Sequence, residues 1–325
     1  MIKVAVIGVG SMGQNHARIY FNHDEAKLVA VADPHPKFLS KASKMYNVPG
    51  YADYQEMLER ENIDAVSIAV PTKFHKEVAI YALNKKKQVL LEKPIASTVE
   101  EAQEIINCAK KNGVTLMIGH IERFNPAVLE LKKRLHELGE IYKIDVQRIG
   151  PFPSRITDVG VIIDLSVHDL DVLNYLLTAK PVRIYAEMQK KLHPHHEDSV
   201  TALLRYDRDI LAVLNVNYLS PTKLRQLRVF GKKGMFMVNY LNQELYFYEN
   251  NSFYSDDWSS VSEGEIRKIK ILKKEPLQAE IDSFIESVKN KTPAAVSGEE
   301  GLEALKIAIA LFESAQGKTI LENYS

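Results

Sequence analysis

The chain has 325 residues, of which 46% are hydrophobic and 26% charged, a composition that is ordinary for a globular protein with room for about two domains. Its 42 basic and 42 acidic residues balance, so net charge does not indicate a nucleic-acid or membrane partner. The single cysteine, Cys108, cannot form an internal disulfide. We expect no signal peptide, no membrane span, no nucleic-acid partner and a cytoplasmic location.

The first predicted elements are a strand, a glycine turn and a helix. Residues 2–7 are apolar and β-branched, the next six read Gly8-Val9-Gly10-Ser11-Met12-Gly13, and a helical run extends from Gln14 to about Asn22. In such a turn the first glycine permits the tight bend, the second lets the backbone approach a pyrophosphate, and the third lets the helix pack against the strand. The helix N-terminus offers N–H groups to the phosphates. We therefore predict that residues 8–13 bind a dinucleotide.

An acidic residue follows the second predicted strand, residues 28–32. Asp33 comes twenty positions after Gly13, where a carboxylate accepts hydrogen bonds from the adenosine ribose and repels a 2′-phosphate. The sequence therefore favours NAD over NADP. The alternative is that Asp33 is a surface turn residue before Pro34. We interpret His16 as a packing or capping residue, because the first helix runs away from the reactive end of the cofactor.

Strands and helices alternate through the rest of the first third. Helices are predicted over residues 37–46, 53–61, 72–85 and 98–112, and strands over residues 65–70, 89–91 and 114–118. This alternation predicts right-handed crossovers and a parallel sheet, whose ligands bind beyond the carboxyl ends of the strands. Those ends carry Asp33, Pro71-Thr72, Glu92-Lys93-Pro94 and Gly119-His120.

Near residue 122 the pattern changes to an α+β arrangement. A helix is predicted over residues 126–138. Strands follow over residues 141–149, 182–189, 199–206, 210–218, 225–231, 234–239 and 243–248, with short turns that indicate antiparallel hairpins. Further helices are predicted over about 164–177, 276–290 and 299–316, and the last of them can pack back on the first domain. We therefore predict an α/β Rossmann domain over residues 1–122 and a C-terminal α+β domain over residues 123–325.

The second domain should contain a large, mostly antiparallel sheet with helices on one face. Its strands carry apolar residues at both parities, as in Tyr246, Phe247 and Tyr248. An apolar sheet face is typical of a subunit interface. We therefore expect a homo-oligomer, a dimer or a tetramer, through this open face.

Two short stretches carry the candidate chemistry. Glu92-Lys93-Pro94 ends a strand, so the lysine points into the cleft, and the proline opens the option of a cis peptide. Asp164 and His168 lie four residues apart on a predicted helix and share a face, where the carboxylate orients the imidazole. A base that takes a hydroxyl proton while hydride leaves for nicotinamide oxidises a secondary alcohol. The alternatives are a structural Lys-Pro and an Asp–His combination that is a surface pair or a helix cap.

Taken together, three motifs resemble the glucose–fructose oxidoreductase / inositol dehydrogenase (Gfo/Idh/MocA) family. They are Gly8-x-Gly10-x-x-Gly13-x-x-His16, Glu92-Lys93-Pro94 and Asp164-x-x-x-His168, and the likeness covers nearly the whole chain. The resemblance implies a Rossmann domain, followed by an α/β domain with an open sheet.

The same resemblance implies roles for individual residues. It implies a catalytic trio of Lys93, Asp164 and His168, with His168 as the acid/base. It also implies that Pro71, Thr72 and His75 line the nicotinamide side, that Glu92 lies beside the cofactor, and that Lys93 contributes to cofactor binding. The family more often has asparagine at the position of Thr72.

The substrate is indicated by the Pro-rich stretch 148–160, which supplies Arg148 and Arg155 before the predicted catalytic helix. It resembles the corresponding stretch of dehydrogenases that oxidise the 3-hydroxyl of UDP-N-acetylglucosamine, and arginine forks suit a pyrophosphate. With Asp164 and His168, we expect Arg123 to line the substrate cleft. The alternatives are that the arginines pair with acidic side chains and that Arg123 ties the domains together.

Two other functions stay open at this stage. An inositol or free-sugar dehydrogenase needs no phosphate-binding arginines, and a non-catalytic NAD-binding sensor needs no acid–base residues. The run His193-Pro194-His195-His196-Glu197-Asp198 contains metal-ligand residue types, but it is more typical of a solvated loop between strands. We predict no metal site.

Overall fold

The computed structural model describes residues 1–153, 159–250 and 264–322. The chain divides into two compact units, one made of residues 1–121 and 275–305 and the other of residues 122–274 and 306–325. The division falls one residue before the predicted boundary, and the segment 275–305 belongs to the first unit. In the described ranges, no helix combines the length and the apolar character that a membrane crossing requires.

The first unit is built on a six-stranded parallel sheet. Its strands are β1 (Ile2–Ile7), β2 (Ala26–Ala32), β3 (Gly50–Tyr51), β4 (Ala65–Ile68), β5 (Gln88–Glu92) and β6 (Leu116–Gly119). Their spatial order is β3-β2-β1-β4-β5-β6, and each adjacent pair runs parallel. This is the doubly wound order of a dinucleotide-binding sheet, and it confirms the Rossmann prediction.

The helices agree closely with the sequence pattern. In the described part of the chain they are α1 (Ser11–Phe21), α2 (Pro36–Tyr46), α3 (Tyr54–Arg60), α4 (His75–Asn84), α5 (Val99–Asn112), α6 (Pro126–Arg134), α7 (Val167–Leu177), α8 (Pro276–Asn290) and α9 (Gly298–Gly317). Asp53 caps α3 by accepting the N–H of Gln55. A π-helical turn, Ile162–Ser166, precedes α7 and is the main departure from the predicted helices.

The second unit contains a nine-stranded sheet. Its strands are β7 (Ile141–Pro151), β8 (Pro181–Gln189), β9 (Ser199–Tyr206), β10 (Leu211–Asn217), β11 (Leu219–Gly231), β12 (Gly234–Asn239), β13 (Glu244–Glu249), β14 (Ile266–Ile269) and β15 (Leu321–Glu322). The spatial order is β14-β13-β12-β11-β7-β10-β9-β8-β15. Strands β7 and β10 run parallel, and the other adjacent pairs run antiparallel, which confirms the α+β prediction.

The two faces of the nine-stranded sheet differ in polarity. On β7, Ile144 and Val146 join a core with apolar residues of α6, α7 and the later part of α9. The alternate positions, Lys143, Asp145 and Gln147, line a shallow depression of about 250 Å³ on the other face. The centre of this second face is therefore polar, which corrects our expectation of an apolar one.

Candidate active site

The parallel sheet of the first unit brings the predicted cofactor residues to one edge. The glycine turn follows β1, Asp33 follows β2, Pro71 comes shortly after β4, and Lys93 follows β5. These four strands are neighbours in the order β2-β1-β4-β5. Because the carboxyl ends of parallel strands meet at the same edge, the residues predicted from separate motifs lie along a single rim.

The glycine turn leaves room for a ligand at its second glycine. A Cβ on Gly8, whose φ is +82°, would lie 2.7 Å from the carbonyl oxygen of Ala69. A Cβ on Gly13 would lie 1.7 Å from the carbonyl oxygen of Gly8. A Cβ on Gly10 would meet no atom within 4 Å. Gly8 and Gly13 are therefore required by packing, whereas Gly10 opens the backbone at the N-terminus of α1. This geometry fits a dinucleotide pyrophosphate.

Asp33 is tied directly to the glycine turn. Its Oδ2 accepts the N–H of Val9 at 2.8 Å, and its Oδ1 accepts the N–H of His35 at 2.8 Å. The residue is buried, so it is not the solvated turn residue of our alternative. Each carboxylate oxygen can accept a second hydrogen bond. Asp33 therefore fits the ribose-binding role beside the turn.

His16 contacts the residue that precedes Lys93. It is buried, and its Nε2 lies 2.9 Å from Oε1 of Glu92, while its Nδ1 lies 3.2 Å from Oγ of Ser67. Glu92 Oε2 accepts the N–H of Lys93 at 3.2 Å. His16 is therefore more than the packing residue that we expected. Its position three residues after Gly13, on the helix face that meets the sheet, was the available signal.

The charge on Glu92 depends on its partners. Burial disfavours the ionised carboxylate, but the hydrogen bond and charge of His16 and the neighbouring Lys93 offset it and hold the pKa of Glu92 below its usual value. The buried Glu280 lies nearby, so donor atoms of His16, Glu92 and Glu280 fall within 4.8 Å of one another. Two members of this cluster, His16 and Glu92, are already hydrogen-bonded to each other.

His75 holds together the ends of β4 and β5. Its Nδ1 lies 2.8 Å from the carbonyl oxygen of Pro94 and its Nε2 lies 2.9 Å from that of Val70. Burial lowers the pKa of His75, although the hydrogen bonds to the two carbonyl oxygens act in the opposite direction. The Lys93–Pro94 peptide is cis. His75 thus fixes the backbone on either side of Pro71-Thr72 and Lys93-Pro94.

In the second unit, Asp164 lies in the π-helical turn and His168 in the first turn of α7. The pair is therefore not carried by one regular α-helix, as its spacing predicted. A π turn inserts an extra residue and is frequent at functional sites. Tyr218, which sequence reasoning missed, donates a hydrogen bond of 2.5 Å from its hydroxyl to Oδ2 of Asp164. This contact fixes the orientation of the carboxylate.

A buried glutamate of the histidine-rich loop, residues 193–198, accepts hydrogen bonds at the start of the π turn. Oε1 of Glu197 accepts the N–H of Ile162 at 3.1 Å, and its carbonyl oxygen accepts that of Val161 at 3.0 Å. A Cβ on Gly160 would lie 2.1 Å from the carboxylate of Glu197, so a larger residue there would displace that carboxylate. Glu197 therefore caps the segment that carries Asp164.

The rest of this loop is held by its own side chains. Asp198 is buried and accepts N–H groups from Lys191 at 2.7 Å, from His193 at 2.9 Å and from Leu192. Nδ1 of His193 accepts the N–H groups of the two following histidines at 3.1 and 2.8 Å. The buried residues of the loop thus support the π turn, while Pro194 and His195 are exposed, so our expectation of a solvated loop is correct only in part.

Two of the arginines predicted to bind substrate have other partners. Arg148 is 1% exposed, and its Nε and Nη2 donate to Asp169 at 2.6 and 3.0 Å while its Nη1 donates to Glu122 at 2.9 Å. Burial disfavours the cation, but the two carboxylates raise the pKa of Arg148 above its usual value. Arg123 is buried and donates from Nε to Asp171 at 3.0 Å. These contacts correct our expectation that Arg123 and Arg148 face the substrate.

Arg155, the third arginine of the prediction, lies outside the described residues. The catalytic assignment of Lys93, Asp164 and His168 stays a prediction. So do the cofactor contacts of Pro71, Thr72 and Glu92.

Comparisons with known proteins agree with this arrangement. Residues 2–120 match the model of an oxidoreductase family's NAD-binding Rossmann fold, and residues 132–322 match that of its C-terminal alpha/beta domain. The chain is 28% identical to UDP-N-acetylglucosamine 3-dehydrogenase of Acidithiobacillus ferrooxidans, over 95% of each protein. It is 27% identical to myo-inositol 2-dehydrogenase of Thermotoga maritima, over 98% of this chain and 97% of the relative.

A solved structure shows the same likeness in three dimensions. UDP-N-acetylglucosamine 3-dehydrogenase from Acidithiobacillus ferrooxidans superposes with a TM-score of 0.88 and 27% identity, over 97% of this chain and 98% of that one. The fold described above is thus shared with an enzyme along nearly its full length.

Replacing His16 should destabilise the protein through Glu92. In His16→Ala the carboxylate stays buried without its partner, so the free energy of unfolding should fall by about 3 kcal/mol at pH 7. His16→Gln, which keeps an N–H donor, should recover part of the loss. Urea denaturation measures both, with the exposed His136→Ala as the control.

The loss should depend on pH. The pKa of Glu92 is lowered in the folded protein, so its stabilising contribution is present above about pH 4.3, the usual glutamate value, and is lost as the pH falls. The difference between wild type and His16→Ala should therefore shrink in acid. Equal stability of the two proteins at pH 7 would contradict the pairing.

Proposed function

The chain belongs to the Gfo/Idh/MocA family of oxidoreductases, and we propose on this basis that it is an NAD-dependent dehydrogenase of a sugar-type secondary alcohol, with a nucleotide sugar as substrate. One observation carries the proposal. The chain keeps a dinucleotide turn with its acidic partner Asp33 and, in the second unit, an Asp164 carboxylate held in place by Tyr218. A carboxylate that is held in place four residues from a histidine can support proton transfer by that histidine.

The cofactor would be held by the first unit. The N–H groups of α1 beside Gly10 bind the pyrophosphate, and Asp33 binds the adenosine ribose. The negative charge of Asp33 disfavours a 2′-phosphate, which supports NAD over NADP. When bound, nicotinamide supplies the hydride acceptor.

The remaining chemistry falls to three side chains. His168 takes the proton of the reacting hydroxyl on a ring nitrogen. Asp164 orients the imidazole and stabilises its protonated form, and Tyr218 fixes Asp164 in turn. Lys93 polarises the hydroxyl oxygen and stabilises the developing alkoxide. Each role follows from the family resemblance together with the local contacts of that residue.

Two classes of substrate are candidates. The relative at 28% identity acts on UDP-N-acetylglucosamine, by its name, and the relative at 27% identity acts on myo-inositol. We propose a nucleotide sugar, and the second candidate is an inositol or a free sugar. A sensor that only binds NAD has no use for the Asp164–His168 pair, so we rank it last.

The activity can be tested directly. Purified protein with NAD should form NADH, followed by its absorbance, with a higher kcat/KM for UDP-N-acetylglucosamine or UDP-glucose than for myo-inositol, glucose or a sugar acid. Lys93→Ala and His168→Ala should each lower kcat by about 10²- to 10⁴-fold while NAD still binds. The exposed substitutions Lys111→Ala and His136→Ala serve as matched controls. Near-normal turnover in both active-site variants would refute their assignment.

The cofactor preference can be tested at Asp33. Asp33→Asn keeps a hydrogen-bonding side chain but removes the charge that repels a 2′-phosphate. The ratio of kcat/KM for NADP to that for NAD should rise by about tenfold or more, and tenfold corresponds to about 1.4 kcal/mol. Asp24→Asn, at an exposed position after α1, is the control. An unchanged ratio would show that Asp33 does not select the cofactor.

We also propose that the chain forms a homo-oligomer, a dimer or a tetramer, through the second face of the nine-stranded sheet. This face carries half-buried apolar side chains such as Val213, Tyr246 and Tyr248 beside its polar centre. Sedimentation at micromolar concentration should give a mass above that of one chain, and Val213→Glu should lower it. A wild-type monomer would contradict the proposal.

A further inference from the structure

One arginine of the second unit differs from its neighbours in how far other side chains neutralise its positive charge. Arg225 on β11 is paired across the antiparallel ladder with Arg148 on β7. Directly opposite residues of such a pair project from the same face of the sheet. Arg148 is 1% exposed, whereas the side chain of Arg225 is 34% exposed. Two guanidinium groups therefore stand side by side, and one of them reaches solvent.

The carboxylates nearby are used mainly by Arg148. Among the described residues, the ion pair recorded for Arg225 joins its Nη1 to Oε1 of Glu122 at 3.6 Å, which is longer than a hydrogen bond. The same oxygen accepts a hydrogen bond of 2.9 Å from Arg148. Asp169 receives two further hydrogen bonds from Arg148. Arg225 thus keeps most of its donor capacity.

The electrostatic surroundings favour a further anion at this point. Burial and the like charge of Arg148 lower the pKa of Arg225, although Glu122, Asp169 and Asp164 act in the opposite direction. A cation whose charged form is disfavoured by its surroundings gains from an incoming oxyanion. A guanidinium fork suits carboxylate and phosphate oxygens because it can donate two parallel hydrogen bonds.

Arg225 also lies near the residues assigned to proton transfer. Asp164 is among the carboxylates whose charge acts on it, and Asp164 is held by Tyr218. Arg225 therefore shares its electrostatic surroundings with the carboxylate that a reacting substrate would approach.

We propose that Arg225 binds an anionic group of the substrate, a carboxylate or a phosphate, and so selects charged sugars over neutral ones. This inference rests on the proposed function and deepens it. It assigns to Arg225 the anion recognition that the sequence suggested for Arg148, whose donors are already used.

The test compares wild type, Arg225→Gln and Arg225→Lys on substrates that differ in charge. UDP-glucose carries the phosphate, glucuronate carries the carboxylate, and myo-inositol and glucose carry neither. Arg225→Gln should raise KM for the charged substrate by about 10- to 100-fold, the effect of one or two charge-assisted hydrogen bonds, and leave KM for neutral substrates within about twofold. Arg225→Lys, which keeps the charge without the fork, should lie between. Arg205→Gln is the control on the same sheet.

The two charged substrates distinguish whether Arg225 binds a phosphate or a carboxylate. A KM effect with UDP-glucose assigns the phosphate, and one with glucuronate assigns the carboxylate. Equal effects on charged and neutral substrates, or no effect on either, would overturn the role of Arg225. A wild type that turns over only neutral substrates would also overturn it, while the dehydrogenase proposal would stand.

Binding measurements test the role of Arg225 even if no substrate turns over. Calorimetry in the presence of NAD should detect UDP-glucose or glucuronate on wild type, with weaker binding to Arg225→Gln and intermediate binding to Arg225→Lys. Absence of turnover with such selective binding would refute the proposed dehydrogenase and support Arg225. Wild type that binds neither anion would refute Arg225.

Discussion

The ion pairs of Arg148 connect the parts of the second unit on which the candidate chemistry depends. This buried guanidinium on β7 joins Asp169 in the first turn of α7 and Glu122, which precedes α6. His168 immediately precedes Asp169, so the anchor also sets the position of the candidate base. Removing one partner from a buried pair leaves an uncompensated charge at a cost of about 3–5 kcal/mol. The helix that carries His168 is therefore fixed by charge as well as by apolar packing.

The same constraint applies in the first unit. Glu92 is buried beside Lys93, and His16, which lies on α1, is hydrogen-bonded to the carboxylate of Glu92. A charged side chain that chemistry requires at a buried position needs a partner, and the partner can come from a distant part of the sequence. In both units, then, the residues nearest the candidate chemistry are supported by buried polar contacts between different elements of secondary structure.

Local patterns explain most of what the sequence predicted. The strand, glycine turn and helix at residues 2–22, the end of β2 at Asp33 and the Lys93-Pro94 strand end depend on a few adjacent residues, and the structure places them as expected. The strands of the second sheet were equally visible through their alternation. Such features depend on backbone conformation and burial, which short stretches of sequence record directly.

The contacts that the sequence did not reveal join residues far apart in the chain. His16 and Glu92 are 76 positions apart, and Asp164 and Tyr218 are 54 apart. Arg148 illustrates the limit most clearly. Its position before the predicted helix suggested a phosphate ligand, but the acids that use its donors, Asp169 and Glu122, are distinguished only by the fold. Arg225 was overlooked because nothing in its local sequence separates it from other strand arginines.

The π turn before α7 has a consequence for helical phase. One additional residue in a helix rotates everything that follows by about 100°, since an α-helix turns once in 3.6 residues. The buried positions of α7 and the direction of His168 are therefore offset from those of a regular helix through residues 162–177. If the same residues were wound as a regular α-helix, His168 would turn to another side. The π geometry of this short turn thus determines which way the candidate base faces.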